Sequence, residues 1–110
     1  MAKTITEKTF AQQAIGATNE TIYTATATDI IKNIIVTNNH TAEVDVTIWL
    51  VPNGGSATDE NVIIFERNIP VGDFFQLTTY IPMETTGDSI VAVCSDADKA
   101  TIGLFGASIT

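Results

Sequence analysis

The fold of this chain is decided by residues 44–51, which read VDVTIWLV, and by the PNGG at residues 52–55 that follows them. Side chains of neighbouring residues on a β-strand point to opposite faces of the sheet. One face of this stretch is therefore uniformly apolar and is predicted to lie against a core. Proline, asparagine and glycine then favour a turn. The predicted core face consists of Val44, Val46, Ile48 and Leu50, and the predicted outer face of Asp45, Thr47, Trp49 and Val51.

The composition extends this prediction from one strand to the whole chain. Of its 110 residues, 18 are Thr, 15 are Ile and 8 are Val, but only 3 are Leu. β-Branched side chains are stiff at χ1, which favours strands over helices. A chain of this length has room for a single core. We therefore predict one all-β domain.

Turn signals divide the chain into short apolar runs of strand length. They include NN at residues 38–39, the PNGG motif, the segment 68–73 and TGD at residues 86–88. Regular spacing of this kind is typical of a sandwich or barrel. We predict an antiparallel β-sandwich of about eight strands, similar to a jelly roll, and a short helical turn only within residues 11–19. The predicted strands are residues 3–10, 20–25, 30–38, 44–51, 61–67, 74–81, 89–95 and 101–109.

Several predicted strands are apolar on both faces, whereas an antiparallel sandwich in water normally shows one polar face. The runs at residues 30–38 and 89–95 are largely apolar in both of their alternating sets. The outer faces therefore need a cover. The sets are Ile34, Val36 and Asn38 against Ile31, Ile35 and Thr37, and Ile90, Ala92 and Cys94 against Val91, Val93 and Ser95.

We predict that other subunits cover these outer faces. If the outer apolar residues lie on neighbouring strands, they form a patch larger than a soluble monomer normally exposes. The sequence also allows two different arrangements: the first 20 residues fold back over the sheet, or a bulge shifts the faces by one residue. The predicted subunit interface consists of Ile35, Trp49, Val51, Val91, Val93 and Phe105.

The charge balance argues against several classes of protein. The chain has 13 acidic against 5 basic residues and a formal net charge of −8. Nucleic-acid binding needs clustered Lys and Arg, which are scattered here. No apolar run reaches the roughly 20 residues of a membrane span, and the initial MAKTITE lacks the apolar segment of a signal peptide. We expect neither a nucleic-acid partner nor a membrane partner.

Residues that carry chemistry in other proteins are isolated in this sequence. His40 is the single histidine, so a multi-histidine metal site is excluded, and we predict that it is solvated in a loop. Cys94 is the single cysteine and lies in an apolar strand, which predicts a buried, inert thiol. The turn from Asp96 to Asp98 offers too few oxygens for calcium, and the glycines at residues 54–55 lack the lysine and helix of a phosphate loop. We predict no enzymatic activity, no metal and no cofactor.

The order of the segments resembles that of small β-sandwich virion proteins of tailed bacteriophages. Those proteins carry LYT, a turn and xIxVxN, followed by LVPxGG, GDxI and a C-terminal GxxIT. The first turn departs from this pattern, since TATD at residues 26–29 replaces the usual Pro-Ala-Gly. The matching segments are IYT at residues 22–24, NIIVTN at 33–38, LVPNGG at 50–55, GDSI at 87–90 and GASIT at 106–110.

The resemblance implies a non-enzymatic structural component of a virion. It covers a β-sandwich domain at residues 20–110 and leaves residues 1–19 as an N-terminal arm or edge strand. We expect a capsid decoration, or cement, protein that is assembled in the host cytoplasm and binds as a homotrimer between major capsid proteins at the capsid surface. Two alternatives stay open: a neck, tail or baseplate module, and a carbohydrate-binding sandwich that uses Trp49, Tyr23 and Tyr80.

Overall fold

The protein folds into two β-sheets packed face to face. The computed structural model describes residues 4–83 and 86–109; Lys3, where the first strand is predicted to begin, and Thr110, which ends the GASIT motif, lie outside them. The described residues form eight strands and contain no helix that is long and apolar enough to cross a membrane. The strands are β1 (Ile5–Ala14), β2 (Glu20–Thr24), β3 (Thr28–Asn38), β4 (Val44–Val51), β5 (Val62–Ile69), β6 (Phe74–Met83), β7 (Ser89–Cys94) and β8 (Ala100–Ile109).

The order of the strands is that of a jelly roll. The first sheet has the order β1-β8-β3-β6, and the second sheet has the order β2-β7-β4-β5. All neighbouring strands are antiparallel. Successive strands cross from one sheet to the other, except between β4 and β5, which gives the interleaved Greek keys of this architecture. The prediction of an antiparallel, jelly-roll-like sandwich of about eight strands is thus confirmed.

Residues 44–51 form β4 and take the predicted faces. The four residues predicted for its core face are buried or pack against the core. Trp49 lies on the outer face, because it stands opposite Val91 while the preceding Ile48 stands opposite the core residue Ala92. Each large aliphatic side chain that is fully buried stabilises the fold by about 1.5–3 kcal/mol. The same register confirms the faces predicted for β7.

A bulge at Lys32 shifts the faces of β3. The sequence predicts Ile31 on the outer face together with Ile35, but Ile31 is 0% exposed and belongs to the core. In the pairing of β3 with β8, the register shifts between Ile31 and Asn33, so that Lys32 is the extra residue. Beyond the bulge Ile34 is buried and Ile35 is outside, as predicted. The prediction for Ile31 is wrong because simple alternation assumes a strand without bulges.

The N-terminal segment supplies an edge strand of the first sheet. β1 pairs with β8 along its length, with one shift of register at Phe10. The helical turn predicted within residues 11–19 is wrong. Residues 11–14 belong to β1, because pairing with β8 satisfies their backbone groups in an extended conformation. The division of the chain into residues 1–19 and 20–110 stays a prediction.

Two contacts of aromatic rings close the sandwich along its sides. On one side, Phe10 of β1 lies against Tyr23 of β2, with the ring centroids 4.9 Å apart. On the other side, the guanidinium carbon of Arg67 in β5 lies 4.7 Å from the ring centroid of Phe75 in β6. A cation–π contact of this kind contributes roughly 0.5–1 kcal/mol at an exposed position. Both contacts join one sheet to the other and shield the core from solvent.

Asn38, the last residue of the NIIVTN motif, joins two turns at one end of the sandwich. Its side chain is 5% exposed. The Nδ2 group donates hydrogen bonds to the backbone oxygens of Ala42, Ile69 and Pro70 at 3.0, 2.9 and 3.1 Å. Its Oδ1 accepts a hydrogen bond from the backbone N–H of His40 at 2.7 Å. Asn38 therefore fixes the β3–β4 turn against the β5–β6 turn.

Candidate assembly surfaces

The six residues predicted for a subunit interface lie on outer faces, but on those of two different sheets. Trp49 and Val51 of β4 share the second sheet with the two valines of β7, whereas Ile35 and Phe105 belong to the first sheet. The outer faces of the two sheets point in opposite directions, because the core lies between them. The structure therefore divides the predicted interface into two separate surfaces.

The second-sheet surface consists of three cross-strand rows on the outer face of that sheet. Val51 and Val91 are already covered within the chain, with 4% and 9% exposure, whereas Trp49 and Val93 are half-buried. None of the nine residues in the rows carries a charge, but Asp45 and Glu66 line the same concavity as Val93 and Thr47 at one end of the surface. Trp49 and Val93 are thus the two predicted residues that this surface offers to a partner. The rows are Thr24, Ser89 and Val51; Thr21, Val91, Trp49 and Val62; and Val93 with Thr47.

The central rows of the first-sheet surface are likewise free of charge, although Glu7, Lys8 and Lys32 line a concavity beside Phe105. Three rows run across all four strands, and Ile35 and Phe105 are half-buried near their centre. A chain with net charge −8 would ordinarily place charges on a solvent-facing sheet, so these rows are a candidate contact surface. The rows are Thr9, Phe105, Asn33 and Thr78; Gln12, Gly103, Ile35 and Gln76; and Ala14, Thr101, Thr37 and Phe74.

The ring of Phe105 separates two shallow concavities on the first-sheet surface. It lies over Gly103, where a Cβ atom would approach the ring carbons to 2.7 Å. One open concavity of about 190 Å³ lies between this ring, Gln12 and Ile35. The other, of about 480 Å³, lies at the bulge beside Lys32. The absence of a side chain at Gly103 thus allows an aromatic ring to lie flat on the sheet.

The most exposed apolar side chains lie outside the predicted interface, and four of them lie in β5, in β6 or in the turn between these strands. Phe65 is 67% exposed, Val71 57%, Phe74 58% and Tyr80 66%. Phe74 and Tyr80 both lie on the outer face of β6, the edge strand of the first sheet. Of these four residues, only Tyr80 was a candidate from the sequence, for sugar stacking. The available signal was the FFQLTTYIPM of residues 74–83, ten residues without a charge.

A buried polar cluster joins the two sheets where β3 begins. Asp29 is 0% exposed and accepts hydrogen bonds from the hydroxyl of Tyr23, at 2.5 Å, and from the hydroxyl of Ser108. Burial of the phenol, together with its hydrogen bond to Asp29, raises the pKa of Tyr23 to about 12. The cluster connects β2 of the second sheet to β3 and β8 of the first sheet. Its polar groups satisfy one another, which is the arrangement of a structural link.

The residues with reactive side chains lie apart from one another. His40 is half-buried in its turn, with Nε2 3.6 Å from Oδ2 of Asp96. Cys94 is 1% exposed, which confirms the predicted buried thiol, and this burial raises the pKa of the thiol. Within residues 4–83 and 86–109, no three His, Cys, Asp or Glu side chains are grouped so that they could hold a metal ion.

The three aromatic residues considered for sugar stacking occupy three different places. Trp49 lies on the second-sheet surface, and Tyr80 lies on the outer face of the first sheet. Tyr23 packs against Phe10 and the core, and its hydroxyl donates a hydrogen bond to Asp29. The three rings therefore do not form a row on one face.

Comparison with known proteins finds the same fold in other solved structures. No protein-family model and no curated protein matches the sequence. A chain of the T13 particle of IBDV, infectious bursal disease virus, is similar with a TM-score of 0.56 and 12% identity over 97% of this chain. A chain of the Gx strain of that virus is similar with a TM-score of 0.50 and 14% identity over 98% of this chain.

A bacterial structure is similar to the same degree. A chain of the Bacillus endospore appendages, which form disulfide-linked pili, has a TM-score of 0.50 and 18% identity over 99% of this chain. This chain spans 88% of the pilus chain but only 30% and 31% of the two viral chains. At these identities the similarity establishes the jelly-roll fold alone.

Proposed function

We propose that this chain is a non-enzymatic structural subunit of a viral particle, and in its most specific form a decoration protein of a tailed-bacteriophage capsid. The observation that carries the proposal is the second-sheet surface, where Trp49 is half-buried in a cross-strand row without charged residues on a chain of net charge −8. A half-buried tryptophan in such a row is typical of a protein–protein contact. The fold shared with a chain of a viral particle supports the viral assignment by analogy.

The proposed assembly is a homotrimer seated between major capsid proteins at the capsid surface. Three copies place their second-sheet surfaces toward a common axis, so that each Trp49 is covered by a neighbouring copy. The acidic side chains are mostly in turns, among them Glu43, Asp59, Asp73 and Asp96, and they remain in water. Binding across capsid subunits then stabilises the shell by adding contacts between them.

Sedimentation of the purified chain tests the trimer. The Trp49→Lys variant adds a charge to the centre of the second-sheet surface, and we expect it to sediment as a smaller species than the wild type. Thr41→Lys is the matched control, because Thr41 is exposed in the β3–β4 turn and the same charge is added there. A wild-type chain that sediments as a monomer, or a control that dissociates equally, contradicts the proposed contact.

Localisation in purified particles tests the role. Cryo-electron microscopy is expected to show the chain at local threefold positions of the shell, with a copy number in proportion to the major capsid protein. A position in the neck, tail or baseplate would replace the decoration role with the alternative structural role. Absence of the chain from particles would overturn the viral assignment.

A filament subunit is the second candidate, because this chain spans 88% of the pilus chain to which it is similar. That pilus is disulfide-linked, whereas Cys94 of this sequence is 1% exposed inside the core. A filament of this chain would therefore be held by non-covalent contacts. Negative-stain microscopy of the concentrated protein distinguishes the two candidates: filaments support the pilus-like role, and discrete oligomers support the decoration role.

A further inference from the structure

β6 is a ten-residue edge strand whose pairing with β3 shifts register once, where Thr79 and Tyr80 stand opposite Lys32. It pairs only with β3, so the backbone N–H and C=O groups along its other side have no strand partner in the described chain. Its ten residues carry no charge. Soluble proteins normally guard such an edge with charged side chains, bulges or a short length, because an open edge pairs readily with another strand. Pro82, which has no N–H, limits the pairing segment to residues 74–81.

Each of the other three edge strands has a feature that hinders pairing with a further strand. β2 is only five residues long. β5 shifts register at two places and includes Glu66, whose φ of 44° belongs to a bulge, next to the charged Arg67. β1 carries Glu7 and Lys8 in its first half. β6 shifts register once against β3, but it is ten residues long and carries no charge. It is therefore the edge at which a further strand is added with the least hindrance.

The exposed side chains of β6 are arranged symmetrically. Phe74 and Tyr80 lie on its outer face, 58% and 66% exposed, each three residues away from Leu77. Gln76 and Thr78 lie between them on the same face, one on either side of Leu77. A two-fold axis through Leu77 would place each of these residues opposite its counterpart.

We propose that two copies of this chain pair through β6, antiparallel, about a two-fold axis at Leu77. The two first sheets then form one continuous sheet of eight strands. Phe74 of each copy lies beside Tyr80 of the other, and Gln76 lies opposite Thr78. Aromatic cross-strand pairs of this kind stabilise a sheet. The contact is separate from the Trp49 contact of the proposed trimer and links one trimer to the next.

A second copy is the occupant that fits this edge. Two chains of net charge −8 repel each other, so they approach with least cost along a strand that has no acidic residue and that lies beside the basic Arg67 of β5. The symmetric spacing of Phe74 and Tyr80 makes β6 complementary to itself, as a two-fold contact requires. Pairing of β6 with β1 of another copy would instead place the exposed aromatic rings beside Glu7 and Lys8.

Two double variants with the same substitution at Thr78 test this register. In Gln76→Lys/Thr78→Lys, each lysine faces a lysine of the other copy, and like charges directly opposite destabilise a pair of strands. In Gln76→Glu/Thr78→Lys, each glutamate faces a lysine. Both variants lose the hydrogen bond that the Thr78 hydroxyl donates to Asn33 Oδ1 at 3.3 Å. Lysine at position 76 can replace the donor of Gln76, at 3.1 Å from the same oxygen, whereas glutamate cannot, so this difference does not favour the Glu/Lys variant.

Sedimentation at micromolar concentrations gives the result. We expect the Lys/Lys variant to weaken the two-fold association by about tenfold or more and the Glu/Lys variant to retain it within a few-fold. The Lys/Lys change lowers the net negative charge, so general repulsion alone predicts the opposite order. Equal association of the two variants overturns the register. A wild type without this association, or open-ended polymers formed by the Trp49→Lys variant, overturn the two-fold contact.

The Trp49→Lys variant separates this contact from the proposed trimer. If both contacts exist, Trp49→Lys leaves dimers and the Lys/Lys variant leaves trimers. Dimers in the wild type with no effect of Trp49→Lys would support pairing through β6 while contradicting the trimer. Circular dichroism and thermal unfolding of each variant verify that the fold is kept.

Discussion

The backbone N–H of Asn53 donates a 2.9 Å hydrogen bond to Oδ1 of Asp88 and so joins two turns that are 35 residues apart in the chain. Gly87 lies directly beside this bond. Its φ is +100°, and a Cβ atom placed on it would stand 2.5 Å from Oδ1 of Asn53. The LVPNGG and GDSI motifs of the sequence are therefore one structural unit, in which glycine is required by both backbone conformation and space.

We expect Gly87→Ala to destabilise the fold more than Gly72→Ala. Gly72 also has a positive φ, +73°, but a Cβ there meets nothing within 4 Å. Its substitution measures the conformational cost alone, about 1–2 kcal/mol, and Gly87→Ala adds the clash with Asn53. Urea unfolding gives the difference. The Asn53→Ala/Gly87→Ala double variant is expected to recover the clash term, and equal losses at Gly87 and Gly72 would contradict a role for the clash.

Gly106 and Gly103 of β8 provide a second contrast. A Cβ on Gly106 would stand 1.8 Å from the backbone oxygen of Ile30, whereas a Cβ on Gly103 would meet only the ring of Phe105, at 2.7 Å. Backbone of a paired strand cannot move aside, but a half-buried ring can rotate. We expect Gly106→Ala to prevent folding or to cost several kcal/mol and Gly103→Ala to cost about 1 kcal/mol or less. Thermal unfolding of the two variants checks this prediction. Similar losses of stability in both variants would contradict it.

The number of strands, and most of their bounds and core faces, followed from the sequence because they depend on local patterns. Alternation over residues 44–51 and the turn residues around them placed β4 and the outward Trp49 correctly. Ile31 was misplaced because the bulge at Lys32 arises from pairing with β8, which lies at the far end of the chain. Residues 11–14 were expected near a helical turn for the same reason, since their strand conformation depends on that same distant partner.

The candidate surfaces were only partly predictable. Each residue of the predicted interface was assigned to an outer face correctly, but the order of strands within a sheet is set by long-range pairing, and Phe105 therefore joined Ile35 rather than Trp49. Recognising β6 as an exposed edge likewise required the order of strands within the sheet. Its charge-free sequence is visible in the chain, but whether such a strand lies at the centre or the edge of a sheet is decided by its neighbours.

The buried carboxylate of Asp29 is expected to be important for stability. Asp29→Ala leaves the hydroxyls of Tyr23 and Ser108 without their acceptor inside the protein, and we expect a loss of about 3 kcal/mol in the free energy of unfolding. Asp59→Ala is the control, because Asp59 is an exposed residue of a turn, and we expect it to change stability by about 0.5 kcal/mol or less. Chemical denaturation of both variants measures the two free energies of unfolding. Similar losses in the two variants would show that the cluster does not stabilise the junction of the sheets.

The Tyr23 phenol gives this cluster a pH dependence that can be measured directly. Burial and the hydrogen bond to Asp29 raise its pKa from 10.0 to about 12 in the folded chain. The folded state thus holds the phenol proton more tightly than the unfolded state, so the stabilisation is complete below pH 10 and is lost as the pH rises from 10 through 12. We expect the phenolate absorbance of the native protein to show a step near pH 12 that Tyr23→Phe removes. Tyr80→Phe changes the other of the two tyrosines and should leave that step intact. Loss of the step in this control would show that the raised pKa does not belong to Tyr23.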